Sequence, residues 1–435
     1  MKCILPLLFL VPTLCLNAVG EDWPQWRGSR GDGISSETQL PTSWSKTENI
    51  LWRTPMPGQG GATPCIWGDR IFVTSSEGDD LVVLCVNTAN GEIQWKQKAG
   101  TGNQDARAGE GNSASPSPST DGQHVWAFFG TGVLACYSVD GKEVWKSDVG
   151  QRFGKLDIQF GMTSTPVLDG DALYVQLIHG RMKMDDTTRT GKVVKLNKKT
   201  GETIWEMDRV TDAKFECKHS YASPFIYDDG ASRFLVVHGA DCITGHDLSS
   251  GKEVWRFGQL NGPTAINPKQ NDPTFRFVAS PCVDPKSKTI IVPTAKEGPV
   301  IALKAAMLQG DCSTKTDVVA WNSPRTPDVS IPVVLDGLVY LLNKDGKLQC
   351  LELATGKEVY LERTYTGQHR SSPLAAGGLL YFGSNDGHVS IVRTGKKFEL
   401  VNTIMMGEAI TASPIASNGT LFIRSYEALY AIKAK

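Results

Sequence analysis

Five segments of this chain carry a glycine four residues ahead of an aromatic: NGEIQW ending at Trp95, DGKEVW at Trp145, TGETIW at Trp205, SGKEVW at Trp255 and TGKEVY at Tyr360. A turn and strand that return in this way signal a repeat architecture, in which a unit unable to bury its own apolar face stacks on copies of itself. The other end of the repeat is a small residue, usually Ser or Thr, followed by proline. Eight prolines align: Pro64, Pro116, Pro166, Pro224, Pro281, Pro332, Pro373 and Pro414. Their separations run from 41 (Pro332 to Pro373) to 58 (Pro166 to Pro224), in or near the range of propeller blades. Between proline and aromatic lie short β-rich runs broken by hairpin signals such as Asp121-Gly122, Asp169-Gly170, Asp336-Gly337 and Asn418-Gly419. The pattern predicts an all-β, eight-bladed β-propeller of four-stranded antiparallel blades, with strands A to D in each.

The residue two before each aligned proline is Ala or Ser, as expected where the A strands crowd around a central axis. Proline suits the first position of strand A, where its missing N–H breaks no ladder bond. The glycine makes the turn between strands C and D, and the aromatic on D wedges against the adjoining blade. Only 21 residues follow Pro414, enough for three strands, so the fourth strand of blade eight is expected from Asn49–Thr54. Trp52 then joins Trp95, Trp145, Trp205, Trp255, Trp321 and Tyr360 as the structural docks. Blade seven, with FELV at Phe398–Val401, lacks the aromatic.

Lys2, the apolar run Ile4–Leu16 and the small residues Ala18 and Gly20 read as an export signal over residues 1–20. The run is too short for a spanning helix, and no small residue precedes Cys15 as a lipid attachment site would want. A non-propeller extension over residues 21–48 and the propeller over 49–435 follow. The expected location is periplasmic or extracellular, with no transmembrane segment. The formal net charge of −1 carries no nucleic-acid footprint. Arg30-Gly31-Asp32 is read as an ordinary charged turn, and a monomer is expected.

Cys85, Cys136 and Cys350 fall nine or ten residues before their dock aromatic and read as small buried residues of strand C. Cys65 and Cys282 directly follow their prolines. Equivalent positions in different blades are too far apart to bond. Cys217, Cys242 and Cys312 stay unplaced, and a Cys217–Cys242 bridge stands open as an alternative to free thiols.

With these repeats on the page, the chain resembles the PQQ-like (pyrroloquinoline-quinone-type) β-propeller repeat proteins over roughly residues 22–435. DWPQWRG at Asp22–Gly28, DCITGHD at Asp241–Asp247 and TPDVSIP at Thr326–Pro332 resemble a group of secreted bacterial propellers, with BamB and the quinoprotein dehydrogenases as more distant relatives by blade type. The resemblance implies the fold strongly and the function weakly. Quinoprotein alcohol dehydrogenases hold their cofactor beneath an adjacent Cys-Cys pair with a calcium and an Asp base, and this chain has no adjacent cysteines. Calcium-loop and zinc spacings, Gly-x-Ser-x-Gly and P-loop motifs are also absent, and Asp185-Asp186 near His179 reads as a solvated loop.

Strand alternation puts the D–A and B–C loops on one face, where the long connections 100–111, 150–161, 211–219 and 258–276 and the insertion 180–190 gather. Long loops on a rigid scaffold are where binding lives. Residues just before each proline should ring a funnel there: Asn112, His219, Arg276, Asp328 and His369, with Arg370 beside it. Such a ring suits a peptide, a glycan or an anionic ligand. Three functions follow in order. The first is a non-catalytic envelope scaffold that binds a protein, peptide or glycan and needs no cofactor. The second is an oxidoreductase dependent on PQQ with calcium, and the third a glycan-binding or glycan-cleaving propeller.

Overall fold

The computed structural model describes residues 21–107, 111–183, 191–264 and 274–434, so the expected leader and Asp185-Asp186 lie outside the described residues. Eight antiparallel sheets stand around an axis. Strand A is short, for example Cys65–Trp67 in blade one and Val333–Leu335 in blade six. Strands B and C are covered on both faces by neighbouring blades and therefore read as continuous apolar runs, such as LVYLL at Leu338–Leu342 and LLYFG at Leu379–Gly383. Strand D is the outer edge, and its exposure alternates, as in Glu143–Asp148. Asp336-Gly337 and Asn418-Gly419 have positive φ at both residues, the geometry of tight type I′ hairpins. The core is a series of apolar layers between blades. No helix among the described residues is long and apolar enough to cross a membrane.

The ring closes as the repeat count requires. Ile50–Pro55 pairs antiparallel with Ala428–Ile432 and supplies strand D of blade eight. Trp52 then stands opposite Ala431, in the register that sets Trp95 against Cys85, Trp145 against Cys136, Trp321 against Ala302 and Tyr360 against Cys350. Small strand-C residues make room for the dock, which explains why three of them are cysteines. All eight cysteines in the described residues are buried thiols. No Cys217–Cys242 bridge is present, and each sulfur instead accepts a hydrogen bond, Cys217 from Asn261 Nδ2 at 3.4 Å and Cys242 from Arg209 Nη2 at 2.9 Å.

The two ends of the repeated motif serve opposite neighbours. Trp95 Nε1 donates to Val139 O of blade two at 2.9 Å, Trp145 Nε1 to Lys198 O of blade three at 2.9 Å, and Trp321 Nε1 to Leu353 O of blade six at 2.7 Å. Each indole lies on the turn glycine of that next blade: a Cβ on Gly141, Gly201 or Gly356 would come within 2.9, 2.7 or 2.5 Å of the ring. Glycine is thus required twice, for positive φ and for close approach.

Blade four departs from this pattern. The insertion in blade five adds Gly310–Asp311 as a fifth, parallel strand beside Glu253–Gly258, and Trp255 is left 2% exposed, edge-on to Phe234. Trp255→Ala should cost about 3–5 kcal/mol. Urea denaturation checks this, and a loss below about 1 kcal/mol would mean that the indole does not hold the blades together.

Blade two corrects the proline alignment. Its strand A is Ser119–Thr120, which follows Pro118 rather than Pro116. Two X-Pro steps two residues apart present the same faces of an extended chain, so the sequence pattern accepts either. The small-residue rule two positions before proline holds in seven blades, and blade two has Pro116 there.

The residue just before the proline explains the Ser/Thr preference. Thr63 N–H donates to Ser117 Oγ (3.0 Å), Ser117 N–H to Thr165 Oγ1 (3.0 Å), Thr165 N–H to Ser223 Oγ (2.8 Å) and Ser223 N–H to Ser280 Oγ (2.8 Å). Blades six to eight continue it, with Ile331, Ser372 and Ser413 donating to Ser372 Oγ, Ser413 Oγ and Thr63 Oγ1 at 3.0 Å each. Only blade six breaks the hydroxyl ring among these positions, with Ile331.

The N-terminal extension crosses the face of the A–B turns. Trp23 bridges to Ile66 of blade one, Pro24 O accepts from Thr120 N of blade two, and Gln25 Oε1 accepts from Leu168 N of blade three. Arg27 Nη1 donates to Pro373 O of blade seven at 2.6 Å, and Glu37 Oε2 accepts from Gly419 N of blade eight. Beside blade seven, which lacks a dock, Trp44 is buried and its Nε1 meets Met406 Sδ at 3.0 Å.

Candidate functional site

On the opposite face the long loops surround a cavity of about 190 Å³ on the axis. Arg276, Asp328 and Arg370 line it, each from the loop leading into a strand A. Lys344 joins them from the B–C loop of blade six, and Phe160 and Tyr221 from the connections into blades three and four. Trp26 of the extension reaches the same cavity from the other face and packs against the buried cluster that holds Cys282 and Ile331.

The Arg276 guanidinium lies 5.0 Å from the Phe160 ring centroid and 5.9 Å from Tyr221, while its Nη1 pairs with Glu216 Oε1 at 2.6 Å. Stacking and ion pair together hold it in one place. Asp328 has φ 69°, and burial pushes its carboxyl above the usual carboxylate range while Lys344, Arg276, Arg370 and Lys296 pull it back down. It is the only carboxylate lining the cavity among the described residues, against three cations.

The remaining funnel candidates stand behind this wall. His219 and His369 are fully buried. His219 Nε2 meets Gly180 O at 2.8 Å, and its Nδ1 faces Gln159 N at 3.4 Å, which anchors the loop that carries Phe160. His369 Nδ1 meets Gly367 O at 2.9 Å. Asn112 Nδ2 donates to Gln59 O (2.8 Å) and Ser76 Oγ (3.1 Å), tying blade two to blade one. Burial lowers His219 below its usual range and pushes His369 down to about 4. Neutral imidazoles with these partners pin the loops from behind.

Counting back from prolines samples only the D–A loops, which is why Lys344 escaped it. Phe160 and Tyr221 had no signal beyond lying in long loops. Trp26 carried only a weak one, as one of three tryptophans in the extension with Trp23 and Trp44. Beside the cavity a polar groove of about 570 Å³ runs between the connections out of blades one and two and shares Ala106 and Phe160 with it. Among the described residues no three His, Cys, Asp or Glu side chains are grouped to hold a metal.

A family model described as "Outer membrane protein assembly factor BamB" matches residues 35–187, 130–398 and 312–435, which together span most of the chain. The protein belongs to this BamB family. Solved structures share the fold of this BamB-family propeller at low identity. BamB from Moraxella catarrhalis is 14% identical with a TM-score of 0.63, covering 88% of this chain and 99% of that one. A europium-containing methanol dehydrogenase is 12% identical with a TM-score of 0.66, covering 94% and 90%. The quinohemoprotein alcohol dehydrogenase from Comamonas testosteroni is 14% identical with a TM-score of 0.65, covering 95% and 81%. A comparison with curated protein sequences gave no match.

Proposed function

We propose that this BamB-family propeller is a non-catalytic scaffold of the cell envelope that captures an acidic segment of a partner protein at its funnel. The observation that carries the reading is the convergence of Arg276, Lys344 and Arg370 on a cavity with a single lining carboxylate. Glu216 pairs with Arg276 and Asp328 offsets a further charge, which leaves the cavity wall net positive and so favours an anion. The family description, an assembly factor of the outer membrane, supports a protein partner, and the leader-like segment 1–20 supports export.

The donor set suits a calcium-dependent quinone poorly. Calcium takes six to eight oxygen ligands, usually with several carboxylates. Here it would meet one carboxylate among cations, and no cysteine lines the cavity.

Binding of a fluorescent, C-terminally amidated hexa-aspartate peptide to the full chain tests the reading. The wild type should bind saturably and more weakly as salt rises. Lys344→Gln with Arg370→Gln should lose about tenfold or more at low salt with unchanged melting, while Lys286→Ala on the other face should bind as wild type. Equal binding by the wild type and the double variant overturns the funnel. Saturable binding of PQQ with calcium, or dye-linked alcohol oxidation, overturns the non-catalytic assignment.

A further inference from the structure

The hydroxyl ring lines the same cavity as the cations, and this neck of the ring has chemistry that the funnel reading does not use. The hydroxyls of Thr63, Ser117, Thr165, Ser372 and Ser413 line the cavity, and each accepts an amide N–H from the preceding blade. None of the five donates its own proton to an acceptor among the described residues. The buried hydroxyl oxygen of Thr411, also on the cavity, has no hydrogen-bond partner among the described residues. Donors left unmade in a buried site are costly and are satisfied by water or by a ligand.

The blade-six side of the neck differs. Ile331 interrupts the hydroxyls and packs in one cluster with Trp26, and Trp26, Val278 and Val329 line the cavity on that side. One wall is therefore apolar, and the other, running from blade seven through blades eight and one to blade three, is an arc of O–H donors. Trp26 lines the cavity from the side of the extension. Next in the chain, Arg27 is buried, with hydrogen bonds from its guanidinium to two carbonyls, Pro373 O and Asp32 O, and no carboxylate ion pair. Its charge, partly offset by nearby Asp32, adds to the positive potential on that side.

We propose that this channel is a receptor for a carboxylate carried beside a single apolar group, as at the C-terminal residue of an extended peptide. The proposal rests on the funnel reading and specifies what enters it. About 190 Å³ is room for roughly six waters, which suits one residue. A cavity of this size, with Trp26 entering from the other face, accommodates a chain end more readily than the middle of a chain. The cations and O–H donors select the carboxylate end over an ammonium end, and the apolar wall with Trp26 takes the side chain.

The same chemistry is offered by a free amphipathic carboxylate, so the test has arms for both sources. Fluorescein-Gly-Gly-Phe with a free C-terminus is titrated into the full chain by anisotropy, alongside its C-terminal amide. The acid should bind saturably and the amide about tenfold or more weakly, as expected for loss of charge-assisted hydrogen bonds. This comparison needs no variant and so does not depend on one folding. Competition by 3-phenylpropanoate at matching affinity would assign the site to free carboxylates, and failure of that competitor would assign it to the peptide terminus. Trp26→Ala should weaken binding of the Phe peptide about tenfold or more, and unchanged binding would overturn the apolar wall. If acid and amide bind equally, or neither binds, the channel inference fails. Hexa-aspartate binding in that case would leave the funnel reading standing, and its loss as well would remove both.

Discussion

Removing residues 49–54 should lower the melting temperature by on the order of 10 °C, far more than any single surface change. The deletion strips the outer strand from blade eight, where Trp52 pairs with Ala431 and Thr54 with Leu429, and it bares the edge of Ala428–Ile432. It also removes the Trp52 indole, whose Nε1 donates to Thr88 O of blade one at 2.9 Å and whose ring lies on Gly91. Trp52→Ala alone should cost about 3–5 kcal/mol, and the deletion more. Differential scanning calorimetry of the two variants against wild type checks the order. Unchanged melting of the deletion would mean that the ring is not held by this strand.

Acidification from pH 7 to 4.5 should cost stability on the order of 6 kcal/mol through three buried histidines. His238, His246 and His369 are at most 1% exposed, and burial pushes them down to about 3, 4 and 4. The folded protein holds these imidazoles neutral, whereas the unfolded chain protonates near pH 6.5. A depressed histidine costs nothing above pH 6.5. Below it the unfolded state binds the extra proton, and the loss grows as pH falls toward the folded value, to about 2 kcal/mol each by pH 4.5. Asp241 acts in the opposite sense, since burial raises it to about 6 and protonation then relieves a buried charge, so it offsets part of the loss. His369→Asn, which keeps an amide nitrogen near the position of Nδ1, should flatten the pH profile by about 2 kcal/mol. Urea denaturation at pH 7 and 4.5 measures this. A profile as steep as wild type would show that His369 is not held neutral.

The ring was legible because its repeat is written in residue types with only one structural use. A glycine at positive φ under a neighbour's indole and a proline at the head of a strand leave little choice of position. Register was less legible where two prolines stood two apart, and Ser117 settles it through a hydrogen bond to the next blade that no local pattern reveals. The Ser/Thr preference itself was visible, but its purpose was not, because each hydroxyl serves the amide of another blade, 41 to 58 residues away in sequence and 350 where the ring closes at Thr63. In the funnel, Arg276, Asp328 and Arg370 could be placed by their distance from a proline. His219 and His369 satisfy the same spacing, and Asn112 does so only when counted from Pro116, yet their side chains turn back into the loops. Which way a loop side chain turns depends on contacts such as His219 with Gly180, made across the fold.

The shared sheet of blade eight also sets a timetable. Synthesis runs from the N-terminus, so Ile50–Pro55 is made early, while its partner Ala428–Ile432 is made 378 residues later, counting from Ile50 to Ala428. At roughly 5–20 residues per second this strand waits on the order of tens of seconds with both edges unpaired. Its sequence, ILWRTP, is apolar at the start and carries an arginine and a terminal proline, residues that discourage a strand edge from pairing with strangers. The first strand made is thus the last to be seated, and until then the nascent chain is an open stack of blades whose two ends have yet to meet.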